Sequence, residues 1–149
     1  RGAYMEKERK RAQEMGYQSP IQPSKEASDK DYDQALKLCV DNIDVIGLCA
    51  GTHNEKSSLH LVELMRQKNI DSADKRIYFS QLFGMSDHIS YNLSLNNYNV
   101  AKYVPYGPVK EVLPYLIRRA QENTSVKGQT GRELNLIMKE KKRRSEAKK

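Results

Sequence analysis

Short, β-prone apolar runs alternate with segments of helical spacing along this chain, and this alternation restricts the fold more than any other feature. The runs at residues 43–50, 76–84 and 99–104 predict three strands, and we expect the first to be buried because both of its faces are mostly apolar. The opening residues RGAY read as the end of a further strand. Because strands and helices alternate at intervals of roughly 20 to 35 residues, they predict parallel β/α units.

The segments between the strands favour helices. Residues 5–15 are good helix formers that end at Gly16, residues 17–28 hold prolines and serines that favour a loop, and a helix begins at about Asp29. Further helices are predicted at residues 55–68 and 85–95, and a last long helix follows the turn PYGP, where Pro108 suits the first helical turn. This order corresponds to half of an eightfold barrel or to most of a small doubly wound sheet.

The last helix carries two adjacent arginines. Its apolar stripe consists of Leu113, Leu116, Ile117 and Ala120, and its other face carries Tyr115, Arg118, Arg119 and Glu122. Exposed arginine and glutamate pairs at helical spacing usually face water and contribute only about 0.3–0.5 kcal/mol. Periodicity alone therefore leaves two readings open for the arginines, a solvated helix face or an anion site.

The basic charge lies at the two ends of the chain. Of the net charge of +7, residues 139–149 contribute seven basic and two acidic groups and residues 1–11 five and two, so the middle sums to −1. This distribution argues against nucleic acid as a partner. No run approaches the roughly 18 apolar residues of a membrane span, so the chain is expected to be soluble or at most peripheral. We expect Cys39 and Cys49 to be buried, reduced thiols.

Polar and aromatic residues recur at the predicted strand ends. They are Arg1 to Tyr4 after the first strand, Thr52, His53 and Asn54 after the second, Gln81, Leu82 and Gly84 after the third, and Lys102, Tyr103 and Tyr106 after the fourth. Each could be a helix cap, a turn residue or a packing residue when taken singly. Together, at the carboxyl ends of parallel strands where ligands bind, they favour one shared pocket.

Several kinds of chemistry have no matching motif in the sequence. Neither GxGxxG nor GxxxxGK[ST] follows a strand, no Gly-x-Ser-x-Gly presents a nucleophile, and no metal-ligand spacing occurs. The predicted pocket offers hydrogen-bond donors, aromatic faces and cations. These groups suit an anionic substrate together with a cofactor that supplies the reactivity.

The motifs RGAY, SPIQPSKEASDKDY, GTHNE, YFSQLFGMSD and KYVPYGPVKEVLPYLIRRAQENTS resemble the proline dehydrogenase family, in order and spacing, from Arg1 to about Leu134. The resemblance implies oxidation of L-proline to 1-pyrroline-5-carboxylate, the first step of proline catabolism, with hydride transfer from proline C5 to N5 of FAD and a quinone as electron acceptor. It implies an α/β fold, the carboxyl-terminal half of a distorted TIM-like (βα)8 barrel at residues 1–134. Residues 135–149 would form a basic helical or frayed tail.

The resemblance also assigns roles to residues. Arg118 and Arg119 match the pair that holds the substrate carboxylate, and Glu122 would orient that pair and the bound ligands. Tyr4, Leu82 and Tyr103 match the walls of the proline ring pocket, and a tyrosine at residue 103 favours proline over hydroxyproline because the hydroxyproline-oxidising relatives tend to have a smaller residue. The positions that match FAD-binding residues are Gly2, Ala3, Lys25, Thr52, His53, Asn54, Gln81 and Glu122.

The resemblance covers only the second half of the family pattern, so the isolated chain is expected neither to bind FAD tightly nor to oxidise proline. We expect a cytoplasmic location, peripheral to the inner membrane in bacteria, or a mitochondrial one in eukaryotes. The alternatives are a hydroxyproline-oxidising relative, another barrel flavoenzyme or phosphate-binding enzyme, and a basic-tailed nucleic-acid or membrane-surface module. The last predicts strong salt-dependent binding that is lost on deletion of residues 139–149.

Overall fold

The structure is a computed structural model that describes residues 4–125 and 129–146, with side chains for residues 4–119, 135, 138, 139 and 141–146. Helices and strands alternate after two initial helices. The elements are α1 (Met5–Met15), α2 (Lys25–Asp41), β1 (Leu48–Gly51), α3 (Glu55–Gln67), β2 (Ile77–Leu82), α4 (Asp87–Leu95), β3 (Val100–Tyr103), α5 (Val109–Ser125) and α6 (Gln129–Glu146).

The three strands form one parallel sheet in the order β1-β2-β3. Ala50, Phe79 and Val100 lie side by side in the sheet, and they share a face because side chains alternate along each strand. Helices α2, α3 and α4 cover this face, and their apolar residues complete the core. The buried core residues are Leu36, Val40, Ile43, Ala50, Leu61, Leu64, Met65, Ile77, Phe79, Ile89 and Leu93. The predicted parallel α/β class is thereby confirmed for this part of the chain.

The other face of the sheet is open along much of its length. Cys49 and Tyr78, paired across β1 and β2, are exposed, and so is Tyr103 on β3. The expectation that the first strand is buried on both faces is therefore wrong. Cys49 lies on the open face, and its predicted burial is wrong for the same reason, while Cys39 on α2 is partly buried. A parallel sheet normally has both faces covered, so this open face is unusual for a complete domain.

Local capping explains where the element boundaries differ from the prediction. Helix α2 begins at Lys25 rather than at Asp29, because the Ser24 hydroxyl accepts a hydrogen bond from the Ala27 N–H at 3.1 Å. Residues 43–47 are not part of β1, because residues 42–45 form a turn after α2 that places Ile43 in the core. Helix α1 ends as predicted at Gly16, in the left-handed conformation.

The last helices extend beyond the sheet. Helix α5 follows Pro108, whose carbonyl accepts hydrogen bonds from the Glu111 and Val112 N–H groups, and it contains Pro114. Helix α6 runs through the predicted boundary between residues 134 and 135. Of the strand end predicted at residues 1–4, residues 1–3 lie outside the described residues, and Tyr4 is the N-cap residue of α1 rather than a strand residue. Within the described part, no helix is both long and apolar enough to cross a membrane.

Candidate functional site

The carboxyl edge of the sheet carries two groups of predicted site residues, on opposite faces. Gln81 and Lys102 are neighbours across β2 and β3, and Leu82 and Tyr103 form the next pair. Because successive side chains point to opposite faces, the first pair lies on the helix-covered face and the second on the open face. We name the first group the loop cluster (Thr52, His53, Asn54, Gln81, Ser86, Ser90 and Lys102). The second group, the aromatic cluster, contains Leu82, Tyr103, Tyr115 and Arg119.

Gln81 links the strands to helix α4 within the loop cluster. Its side chain is buried, donates a hydrogen bond to the Thr52 carbonyl at 3.4 Å and accepts one from the Ser90 hydroxyl at 2.8 Å. The amide therefore connects the β1–α3 loop to the first turns of α4. A buried amide with both ends satisfied fixes the loop in one arrangement.

The β1–α3 loop is held by hydrogen bonds from its own side chains. The Thr52 hydroxyl accepts from the Asn54 N–H at 3.0 Å, and the Asn54 side chain accepts from the Lys56 and Ser57 N–H groups at 3.0 and 3.5 Å. Asn54 is therefore the N-cap of α3. This agrees with the possibility, left open by the sequence, that Asn54 is a helix cap.

His53 lies between these two hydrogen-bonded loop residues and reaches the β2–α4 loop. Its Nδ1 atom lies 2.9 Å from the Ser86 hydroxyl oxygen. Ser86 is buried and is one of three non-glycine residues with positive φ in the described part of the chain. Lys102 holds the same loop from the other side, because its Nζ donates to the Met85 carbonyl at 2.7 Å and pairs with Asp87 at 2.8 Å.

The aromatic cluster joins helix α5 to the open face of the sheet. The rings of Tyr103 and Tyr115 meet edge to face, with centroids 5.8 Å apart, and the Arg119 guanidinium carbon lies 5.4 Å from the Tyr115 ring centroid. Tyr103 is still 54% exposed, so the cluster borders an open space. The face of α5 that carries Tyr115 and Arg119 therefore contacts the sheet edge.

The apolar stripe of α5 lies away from these contacts. Leu113, Leu116 and Ile117 are all exposed in the structure. The side chain of Ala120, the fourth residue of the predicted stripe, lies outside the described residues. The helix therefore turns its polar and aromatic face toward the sheet edge and its apolar stripe outward.

The remaining predicted site residues belong to neither cluster as defined above, or lie outside the described residues. Tyr4 is the exposed N-cap residue of α1, the side chain of Lys25 pairs with Asp29 at the start of α2, and Arg118 is exposed on α5. Gly2 and Ala3 lie outside the described residues, as does the side chain of Glu122.

Sequence reasoning missed three residues of these clusters. Ser86 and Ser90 belong to a predicted helix, and their spacing of four residues was the available signal for a shared helix face. The sequence places Tyr115 on the polar face of α5 and indicates no role for it. Nothing in the local sequence indicates that Ser86 has a positive φ, because this conformation is uncommon for serine.

The chemical types of the side chains at the carboxyl edge suit a polar cofactor and an anionic substrate. The loop cluster presents an imidazole and hydroxyls beside the amino end of α3, where helix N–H groups favour negative charge. The aromatic cluster presents a guanidinium and two aromatic rings, which suit a carboxylate attached to an apolar ring. Among the described residues, no group of three His, Cys, Asp or Glu could hold a metal ion.

Comparison with known proteins gives a consistent result. The sequence model of the proline dehydrogenase family matches residues 1–132. The chain is 46% identical over 148 residues to the hydroxyproline dehydrogenase of Xenopus laevis, covering 97% of this chain and 32% of that protein. It is 41% identical over 154 residues to the mitochondrial proline dehydrogenase 1 of Drosophila melanogaster, covering 97% of this chain and 23% of that protein. The chain thus spans less than a third of the length of these relatives.

A solved structure supports the same relationship. It is the crystal structure of the proline utilization A protein (PutA) of Bdellovibrio bacteriovorus, inactivated by N-propargylglycine. This chain superposes on it with a TM-score of 0.74 at 28% sequence identity. The match covers 85% of this chain and 13% of that one.

Proposed function

Because the chain belongs to the proline dehydrogenase family, we propose that it forms the carboxyl-terminal half of a (βα)8 barrel that oxidises L-proline to 1-pyrroline-5-carboxylate with FAD. Residues 1–134 would belong to the barrel and residues 135–149 to a basic tail. Part of the support is the open face of the sheet. In a barrel this face points to the interior, where further strands and their side chains would cover Tyr78 and Cys49.

The aromatic cluster carries the proposal for the substrate. Arg119 lies over Tyr115, and Tyr115 contacts Tyr103 at the open face, so a cation stands beside an exposed aromatic wall. We assign the substrate carboxylate to Arg119 together with Arg118, and the pyrrolidine ring to the space beside Leu82, Tyr103 and Tyr4. A guanidinium can bind a carboxylate through two parallel hydrogen bonds, which fixes the orientation of the ring as well as its position.

The loop cluster carries the proposal for the cofactor. Thr52, His53, Asn54 and Gln81 would hold FAD, with Lys25 at its pyrophosphate, Gly2 and Ala3 beside its ring system, and Glu122 orienting the arginines. When bound, FAD supplies the hydride acceptor for the oxidation of proline C5. The residues of the chain supply alignment, charge and exclusion of water. A quinone would be the final electron acceptor, and contact with a membrane surface would then be peripheral.

Hydroxyproline is a second candidate substrate, because a hydroxyproline dehydrogenase is among the most similar relatives found. Tyr103 favours proline on steric grounds, since its ring fills space at the open face that a substrate hydroxyl would need. Tyr103→Ser should therefore raise kcat/KM for hydroxyproline relative to proline, by about tenfold for a pocket change of this size. An unchanged ratio would remove Tyr103 as the residue that selects the substrate.

The test of the proposed function is made on the full-length protein that contains these residues. The purified protein should show flavin absorbance that L-proline bleaches near neutral pH, and Arg119→Ala should lower kcat/KM for proline by at least about 100-fold because a charge-assisted contact to the substrate is lost. Lys110→Ala, on the exposed first turn of the same helix, is the matched control and should have no effect. A colourless protein, or a flavin indifferent to proline, would contradict the proposal.

The isolated 149-residue chain gives a second test. Its open sheet face lacks the cover that a barrel interior needs, so we expect neither tight FAD binding nor proline-dependent dye reduction. Dye reduction by this chain alone would show that the rest of a barrel is not required.

A further inference from the structure

We infer that Ser86 is a positioning residue that holds the His53 imidazole in one orientation for the bound FAD. This inference rests on the proposed cofactor role of His53. Ser86 lies within the motif YFSQLFGMSD, but neither the family resemblance nor the proposed function gives it a role. Three features of the described structure carry the inference: the contact itself, the backbone of Ser86 and the anchoring of its loop.

The contact joins two loops that are far apart in sequence. The Ser86 hydroxyl oxygen lies 2.9 Å from His53 Nδ1 across 33 residues, and Ser86 is only 1% exposed. A hydroxyl can donate to Nδ1 or accept from it, and in either case the bond restricts rotation of the imidazole and holds its ring plane. The nitrogen on the other side of the ring, Nε2, then points in one direction.

The backbone of Ser86 directs its hydroxyl away from the helix that it precedes. A serine at an N-cap usually has extended dihedrals and accepts a hydrogen bond from its own helix. Ser86 instead has φ 51° and ψ 41°, and its side chain forms no cap bond with α4. Glycine would adopt this left-handed conformation without strain. A strained serine whose hydroxyl meets a histidine indicates that the hydroxyl has a use.

The loop around Ser86 is fixed on both sides. The Met85 N–H donates to the Leu82 carbonyl at 3.1 Å, while Lys102 holds the Met85 carbonyl and the Asp87 carboxylate. The Ser86 carbonyl accepts from the N–H groups of Ile89 and Ser90 at 3.0 and 3.2 Å. The hydroxyl is therefore attached to a rigid support, which is what a residue that orients another side chain requires.

The test compares two substitutions of Ser86 in the full-length protein. Ser86→Ala removes the hydroxyl and keeps the backbone strain, whereas Ser86→Gly removes both. We expect each variant to weaken FAD binding by about five- to tenfold, the effect of one lost hydrogen bond to an orienting group. Ser86→Gly should melt at the same temperature as the wild type or higher. Ser94→Ala, which removes an exposed hydroxyl from α4, is the control and should leave FAD binding unchanged.

A double-mutant cycle separates a positioning role from a structural one. In a His53→Ala background, Ser86→Ala should change the FAD dissociation constant by less than about twofold, because its effect acts through the imidazole. NMR relaxation of the His53 side chain in the apoprotein provides a readout independent of the cofactor. The imidazole should be held in one orientation in the wild type and should rotate more freely in Ser86→Gly.

The outcomes distinguish this inference from the proposed function. A wild-type protein that binds no FAD would overturn the proposed function. A wild type that binds FAD, together with Ser86 variants that bind it equally well, would overturn the positioning role alone. Equal losses with and without His53 would overturn it too, as would an imidazole whose mobility is the same in the wild type and in Ser86→Gly.

Discussion

The two faces of the sheet differ in how completely other parts of this chain cover them. On the helix-covered face, apolar side chains from three helices bury Phe79 and Ile77, and at its carboxyl edge Gln81 links the Thr52 carbonyl to the Ser90 hydroxyl within the loop cluster. On the open face, Tyr78 and Tyr103 are exposed, and Tyr103 meets α5 through one aromatic contact. The helix-covered face, here called the closed side, carries the proposed cofactor loops. The open face, or open side, carries the proposed substrate wall.

This difference shows how the two clusters depend on the rest of a barrel. The loop cluster is held by hydrogen bonds between residues 52 and 102, so its geometry is local to this chain. The aromatic cluster has its members in place but lacks cover. We therefore expect the loops to keep their arrangement in the isolated chain, whereas a substrate pocket needs additional surface on the open face.

The largest expected difference in unfolding free energy is between substitutions of two adjacent β2 residues that lie on opposite faces of the sheet. Phe79 is 1% exposed and Tyr78 is 40% exposed. In this chain, Phe79→Ala should lower the free energy of unfolding by about 3–5 kcal/mol, the usual cost of a buried aromatic cavity, and Tyr78→Ala by less than about 1 kcal/mol. Urea unfolding followed by circular dichroism measures both.

The same pair in the full-length protein sharpens the comparison. If a barrel covers the open face, Tyr78→Ala should become costly there, by more than about 2 kcal/mol, because its side chain is then buried. A cost that stays small in the longer protein would mean that the open face remains solvated, and it would count against the half-barrel.

A smaller effect is expected from the buried amide of the loop cluster. Gln81→Leu keeps the approximate volume but leaves the Ser90 hydroxyl without its acceptor on Gln81 and the Thr52 carbonyl without its amide donor. The unfolding free energy should fall by about 1–3 kcal/mol, the cost of unsatisfied buried polar groups. Gln67→Leu, at an exposed position on α3, is the control and should cost less than about 0.5 kcal/mol. Equal costs for the two variants would show that the Gln81 bonds contribute nothing beyond packing.

Much of the closed side could be predicted from sequence because its signals are local. Apolar periodicity places α3, α4, β2 and β3 close to their observed bounds, and Gly16 marks the end of α1. The error at β1 has a physical cause. Residues 43–50 form one apolar run, yet its first part enters the core from a turn, and alternation exposes Cys49 on a face that this chain does not cover.

The candidate site was less accessible to prediction because it depends on contacts across the sheet. The sequence grouped strand-end residues into one pocket, but alternation separates Gln81 and Lys102 from Leu82 and Tyr103. The contact between His53 and Ser86 spans two loops. It involves a left-handed backbone conformation at Ser86 that the sequence pattern does not predict. The pairing of Tyr115 with Tyr103 depends on how α5 returns over the sheet edge.

Substitutions of Asn54, with an expected effect of intermediate size, test whether this residue only caps α3 or also binds FAD. Asn54→Ala should cost about 1 kcal/mol of unfolding free energy because the cap of α3 is lost, and Asn54→Ser should restore most of it. Ser24→Ala, which removes the cap of α2, should cost a similar amount. If Asn54 also binds FAD, Asn54→Ser should still weaken FAD binding in the full-length protein. Normal FAD binding in Asn54→Ser would leave Asn54 with a capping role only.

The smallest effect concerns acid, and it arises in the turn that precedes β2. Hydrogen bonds from Arg76 lower the pKa of Asp74 to about 2, from 3.8. Because the folded pKa is the lower one, the ion pair stabilises the protein above about pH 4, and this contribution, on the order of 1 kcal/mol, is lost as pH falls from about 4 to 2. Asp74→Asn should therefore reduce stability at pH 6 and leave it nearly unchanged at pH 2.

Asp44 provides a matched control because it pairs with the same arginine. Its side chain is 95% exposed, against 15% for Asp74, and solvent screens its attraction to Arg76. Asp44→Asn should hardly alter the acid unfolding curve. If both variants flatten the curve equally, exposure does not distinguish the two carboxylates. If neither does, the acid sensitivity arises elsewhere, and the turn before β2 contributes less to stability than its hydrogen bonds indicate.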